Sequence, residues 1–116
     1  MSSQILGVVL RSKDPAVTVK FYEALKLRSN YHEHGGPMHY ELGPNSQGIV
    51  IEVYRQSDNF KRDAIMIEVP SIEEALKAID EFLLTDFIYV VKDSVDMRFV
   101  YVCDPDGRHV MIIQKK

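Results

Sequence analysis

Asp104-Pro-Asp-Gly107, followed by Arg108-His-Val-Met-Ile-Ile113, reads as a tight turn feeding a strand. Asp supplies local side-chain hydrogen bonds and Gly the positive φ that such turns need. Phe99–Cys103 lies just upstream and is also apolar, so the segment predicts a β-hairpin with Asp-Gly at its tip. The same sentence occurs earlier in the chain. Gly43-Pro-Asn-Ser-Gln-Gly48 has turn composition and leads into the apolar run Ile49–Tyr54, with Gly48 lying 59 residues before Gly107.

Working outward from these two hairpins gives a repeat. Met38-His-Tyr-Glu-Leu42 alternates apolar and polar residues, the pattern of a half-buried strand. Tyr31–Glu33 predicts a short strand before it, ended by Gly35-Gly-Pro37. Ile5–Leu10 is a β-branched run ended at Ser12. Asp14-Pro15 then opens a helix, with the carboxylate as cap and Pro at the first helical position. Val17, Phe21, Leu25 and the neighbouring Ala24 recur at helical spacing and predict the buried stripe of a helix ending near Leu27. In the second half, Ile65–Val69 predicts a strand. Ser71 and Glu74 form a capping box, and Ile72, Ala75, Leu76, Ile79 and Leu83 make a helical stripe. Phe87–Val91 predicts a further strand and Asp93-Ser94 a turn. Matching the helix starts pairs Asp14 with Pro70, 56 residues apart.

Each half therefore reads strand–helix–strand–strand–strand. The predicted class is α+β: two tandem βαβββ modules forming a cupped mixed sheet with helices on the outer face. Module one covers about 4–55, a polar linker about 56–62 and module two about 63–116, all within a single domain. One helix covers one face of each four-stranded sheet, so the opposite face is left as a cavity wall or a partner surface.

Bulk properties narrow the function. Of the 116 residues, 46% are hydrophobic and 27% charged, which suits a packed core rather than disorder. The net charge of -3 argues against a nucleic-acid footprint. No apolar run approaches the roughly 20 residues of a membrane span. The single cysteine, Cys103, excludes an internal disulfide, and with no signal-peptide pattern the expected location is the cytoplasm.

Lys13-Asp-Pro with Phe21-Tyr22, Gly48-Ile-Val-Ile-Glu-Val, Ile72-Glu-Glu-Ala-Leu and Asp104-Pro-Asp-Gly occur in the order found in the vicinal oxygen chelate superfamily. The chain resembles this superfamily of glyoxalases, bleomycin-resistance proteins and extradiol dioxygenases over nearly its whole length. The resemblance implies four metal-ligand positions, and here they fall on Gly7, Glu52, Ala64 and Met111. Gly and Ala carry no donor, and a thioether is a poor ligand for hard or borderline ions. The expectation is therefore no metal at these positions, no cofactor and no Lewis-acid chemistry through them. That leans away from an enzyme and toward a binding protein of the bleomycin-resistance type.

Strand alternation nominates the ligand-facing residues. Gly7, Val9 and Arg11 share one face, as do Val50, Glu52 and Tyr54; Ala64, Met66 and Glu68; and His109, Met111 and Ile113. Phe99, Tyr101 and Cys103 should join them. Expected ligand contacts are Glu52, Arg11, Tyr54, His39, Glu68, Tyr101, His109 and Met111, with Glu52 the best catalytic candidate. Glu52 either orients a polar or cationic ligand or pairs with Arg11. His32 and His34 share one strand face, which would suit metal chelation, but they lie off the implied ligand positions and beside the Gly-Gly turn, so a surface or rim role is expected. The expected function is binding of a small organic molecule. The alternative is a glyoxalase- or lyase-type enzyme using Glu52 with a nearby His, with or without a displaced metal held by His39, Glu52 and His109. A homodimer is expected, through the first-helix side or the strand near Ile5–Val9.

Overall fold

The structure, a computed structural model, describes residues 2–32, 38–82 and 90–116. Its elements run β1 (Gln4–Ser12), α1 (Pro15–Ala24), β2 (Ser29–His32), β3 (His39–Leu42), β4 (Val50–Arg55), β5 (Ala64–Glu68), α2 (Ile72–Phe82), β6 (Lys92–Asp93), β7 (Met97–Cys103) and β8 (His109–Lys115). The class is α+β, with βαβββ occurring twice. The chain forms two compact units, Gly7–Asp63 and Ala64–Lys116, the latter together with the start of the chain up to Leu6.

In the first unit β1 pairs parallel with β4, β4 antiparallel with β3, and β3 antiparallel with β2. The corner into α1 is tied locally. Asp14 Oδ1 accepts from the Val17 N–H at 3.4 Å, and Ser12 Oγ accepts from the Asp14 N–H at 3.1 Å. Helix α1 sets Val19 on Leu42 and Val53, with Leu10, Tyr22, Tyr40 and Ile51 packed around them. Each such fully buried side chain contributes about 1.5–3 kcal/mol.

This packing corrects the expected stripe of α1. Val17, Phe21 and Leu25 are 61%, 63% and 62% exposed, and Ala24 is exposed too, while Pro15 and Val19 are buried. Val19 lies about 200° around the axis from Val17, given 3.6 residues per turn. Apolar residues occur on both sides of this helix, so periodicity does not choose the buried side. The contact with Leu42 and Val53 does. The helix also stops at Ala24, with Leu25 as C-cap and Lys26 at φ 73°.

The second unit repeats the topology. β5 pairs parallel with β8, β8 antiparallel with β7, and β7 antiparallel with β6. Ser71 Oγ accepts from the Glu74 N–H at 3.2 Å, which is the expected cap. Ile72 packs with Val69, Val100, Val102 and Ile112, and Ala75, Leu76 and Ile79 join them as expected. Leu83, Glu33, the Gly35–Pro37 turn and most of the expected Phe87–Val91 strand lie outside the described residues. The strand described there is Lys92–Asp93, so Asp93 ends a strand and the turn begins at Ser94, whose N–H donates to the Met97 carbonyl at 2.8 Å.

The two units agree down to their turns. Asn45 Oδ1 accepts from the N–H groups of Gln47 (3.0 Å) and Ile49 (2.9 Å). Asp104 Oδ1 accepts from those of Asp106 and Arg108, both at 2.9 Å. Gly48 and Gly107 follow at φ 81° and 85°, where a side chain would be strained. At the helix starts the equivalent residues are the caps Asp14 and Ser71, one position beyond the Asp14–Pro70 match. Residues 56–62 are no slack connector: the Gln56 N–H donates to the Ser12 carbonyl at 2.9 Å, and Ser57 and Phe60 exchange backbone hydrogen bonds.

Candidate functional site

The sheet face of the first unit opposite α1 is laid out by alternation and register. Arg11 pairs with Tyr54, and His32 with His39, while Val9 pairs with Glu52 and Glu52 with Glu41. Two neighbouring rows result. Arg11, Tyr54, His39 and His32 form one across β1, β4, β3 and β2. Val9, Glu52, Glu41 and Asn30 form the other.

The first row is a stack of planar groups. The Arg11 guanidinium lies 4.7 Å from the Tyr54 ring centroid and 4.6 Å from that of Phe60. Tyr54 stacks on His39 at 4.5 Å and 15°, and His39 on His32 at 5.6 Å and 19°. Each cation–π contact contributes about 0.5–2 kcal/mol, depending on desolvation.

The second row brings carboxylates against these rings. Glu41 Oε2 lies 3.3 Å from His32 Nε2 and 3.6 Å from His39 Nε2. Glu52 Oε1 accepts from the Tyr54 hydroxyl at 3.4 Å. Burial pushes the Glu52 carboxyl above its usual range, and the neighbouring Glu41 adds to the rise, while His39, Tyr54 and His32 oppose it. His39, Glu41 and Glu52 each offer one donor atom, and these atoms lie within 4.8 Å of one another.

Four of the expected ligand residues, Arg11, His39, Glu52 and Tyr54, thus come together. Of the two readings of Glu52, the pair with Arg11 does not form among the described residues: the guanidinium goes to the two aromatic rings, and Glu52 is bonded by Tyr54. Glu41 and Phe60 were not among the expected contacts. Alternation in Met38–Leu42 already placed Glu41 beside His39. Nothing in the sequence brought Phe60, from the connecting segment, beneath Arg11. His34 lies outside the described residues.

The other four, Glu68, Tyr101, His109 and Met111, belong to the second unit. There Met66 pairs with Met111, Met111 with Tyr101, and Ile113 with Phe99. Met66, Tyr101, Met111 and Ile113 are buried, making this face apolar. Glu68 is also buried; it accepts from Gln4 Nε2 and lies 3.8 Å from Lys115 Nζ. The cluster that includes His39 and Glu52 takes Glu41 as its third member, where the alternative reading named His109.

The four metal positions implied by the resemblance do not fit a metal. Gly7 sits at φ 145°, and a Cβ added there would fall 1.7 Å from the Val50 carbonyl oxygen. No donor side chain can occupy that position without moving the strand. Ala64 and Met111 are buried with no suitable donor.

No family model matches the chain, and no curated protein matches it significantly. Solved structures do. A hypothetical protein from Bacillus halodurans C-125 is similar at TM-score 0.74 and 16% identity, covering 100% of this chain and 96% of the other. A glyoxalase/bleomycin resistance protein/dioxygenase superfamily member from Vibrio splendidus 12B01 follows at 0.67 and 15%, covering 99% and 100%. The fold is that of the vicinal oxygen chelate superfamily. Methylmalonyl-CoA epimerase from Mycobacterium tuberculosis shares it at TM-score 0.65 and 10% identity, covering 97% of this chain and 85% of that one. No helix among the described residues is long and apolar enough to cross a membrane.

Proposed function

We propose that this chain is a small-molecule-binding protein that does not use the superfamily's four-position metal. Its ligand is a small, planar organic molecule with cationic or hydrogen-bond-donating groups. The observation that carries this reading is the pair of rows on the first unit. Stacked rings and a guanidinium offer flat contact, and Glu41 and Glu52 offer acceptors beside them. Location in the cytoplasm is part of the proposal and rests on the single cysteine.

Native mass spectrometry of the untagged protein from its source tests it. The expected result is a retained organic species of low mass, lost in Tyr54→Ala and weakened in Glu52→Gln. A protein free of any such species, with no thermal shift across a panel of planar amines and amides, would sink the reading.

The closeness of Glu52 to His39, whose donor atoms lie within 4.8 Å of each other, favours a second reading, a glyoxalase- or lyase-type enzyme in which Glu52 removes a proton. Exchange of a substrate C–H with deuterated solvent, abolished in Glu52→Gln, distinguishes it from simple binding.

The proposal extends to a homodimer. Val17, Phe21 and Leu25 line one exposed side of α1 at spacing i, i+4, i+8, and a twofold contact between copies would cover them. Sedimentation is expected to give a dimer that Phe21→Glu converts to monomer. A wild-type monomer at micromolar concentration would remove this extension.

A further inference from the structure

The geometry points to a divalent-cation site at His39, Glu41 and Glu52, on β3 and β4 of the first unit and away from three of the four positions the superfamily resemblance implies. It departs from the expectation of a wholly metal-free protein, and it concerns the same face as the binding reading without depending on it.

Distances support the site first. One imidazole nitrogen and two carboxylate oxygens lie within 4.8 Å of one another. Zinc bonds of about 2.0–2.1 Å in a tetrahedron put ligand atoms about 3.3–3.4 Å apart, so a modest contraction closes the set. The 3.6 Å between His39 Nε2 and Glu41 Oε2 is already close to that edge.

Charge supports it second. Glu41 and Glu52 are directly paired residues on antiparallel strands, an arrangement of like charges that destabilises a sheet. A cation between them turns that repulsion into attraction.

The support around the ligands comes third. Tyr54 bonds Glu52 and stacks on His39. His32 Nε2 lies 3.3 Å from the same Glu41 oxygen that faces His39. His32 is therefore a positioning residue, holding a ligand carboxylate as outer partners do. The donor set of one imidazole and two carboxylates selects a borderline ion such as Zn2+ over Ca2+ or Mg2+, which take oxygen alone. Three protein ligands leave a coordination position open.

Untagged, chelator-treated protein titrated with zinc sulfate tests the inference. Calorimetry is expected to show one Zn2+ per chain and no comparable uptake of Mg2+. In the same titration, proton NMR is expected to shift the ring signals of His39 and His32 and leave His109 unmoved. Glu41→Gln and His39→Ala should each weaken Zn2+ by about 100-fold or more, and His32→Ala by the roughly 10–100-fold typical of outer partners. Absence of Zn2+ uptake, or uptake that leaves the His39 ring signals unchanged, overturns the site. The NMR result on wild-type protein decides even if a variant fails to fold. Chelated protein that still holds its organic ligand while failing to take Zn2+ would refute the cation site alone.

Discussion

The two units share one topology and oppose each other in chemistry. Register makes the comparison position by position. Glu52, the partner of Val9, corresponds to Met111, the partner of Met66. Glu41 corresponds to Tyr101, Tyr54 to Ile113, and Arg11 to Glu68. On the helix side the units are alike, Val19–Leu42–Val53 in one and Ile72–Val102–Ile112 in the other. On the opposite face the middle of one unit carries imidazoles and carboxylates and the middle of the other thioethers and aromatic rings, with Glu68 and His109 at the ends of the second. The backbone pattern therefore dictates where a side chain points, and leaves what it carries open to change.

The largest effect should come from the strand start, where Gly7 corresponds to Ala64. Gly7→Val drives a side chain into the Val50 carbonyl and is expected to abolish cooperative unfolding, while Ala64→Gly costs about 1 kcal/mol. Denaturant titration of both checks this. A folded Gly7→Val within about 1 kcal/mol of wild type would show that the first strand can move aside.

Exchanging the chemistry of the paired positions comes next. Met111→Glu puts an unpaired carboxylate in the apolar face and is expected to lose about 3–5 kcal/mol. Its mirror, Glu52→Met, removes a carboxylate that burial and Glu41 already disfavour, and should gain about 1 kcal/mol in chelator. Equal losses in both would break the comparison, since the first face would then need its charge in order to fold.

The smallest effect concerns the turns. Asn45→Ala and Asp104→Ala each remove an acceptor from two backbone N–H groups, at an expected cost of about 1 kcal/mol apiece. Costs differing by more than about 1 kcal/mol would mean that the repeat is one of shape and not of energetics.

Those turns explain why the fold was legible in the sequence. Asp-Pro-Asp-Gly and Asn-Ser-Gln-Gly act within five residues, and so do the caps at Asp14 and Ser71, so local chemistry announces them. Alternation likewise sets the facing of Arg11, Glu52 and Tyr54 whichever strands they pair with. The candidate site was half legible. That His39 and Glu52 meet depends on which strand lies beside which, and Glu41 enters the cluster only because β3 is paired in one register with β4. The stripe of α1 was misread for the same reason: Val17 and Val19 are equally apolar, and only the sheet decides between them.

Gly7 has a consequence for descent. Ala64 and Met111 could each be exchanged for a donor one replacement at a time, but position 7 admits no side chain until the Val50 carbonyl has moved, and that carbonyl lies in the parallel pairing of β1 with β4. Donors at all of these positions therefore require a rearranged strand before they require a new residue. New activity in descendants of this chain is easier to reach through the residues already gathered on β2, β3 and β4.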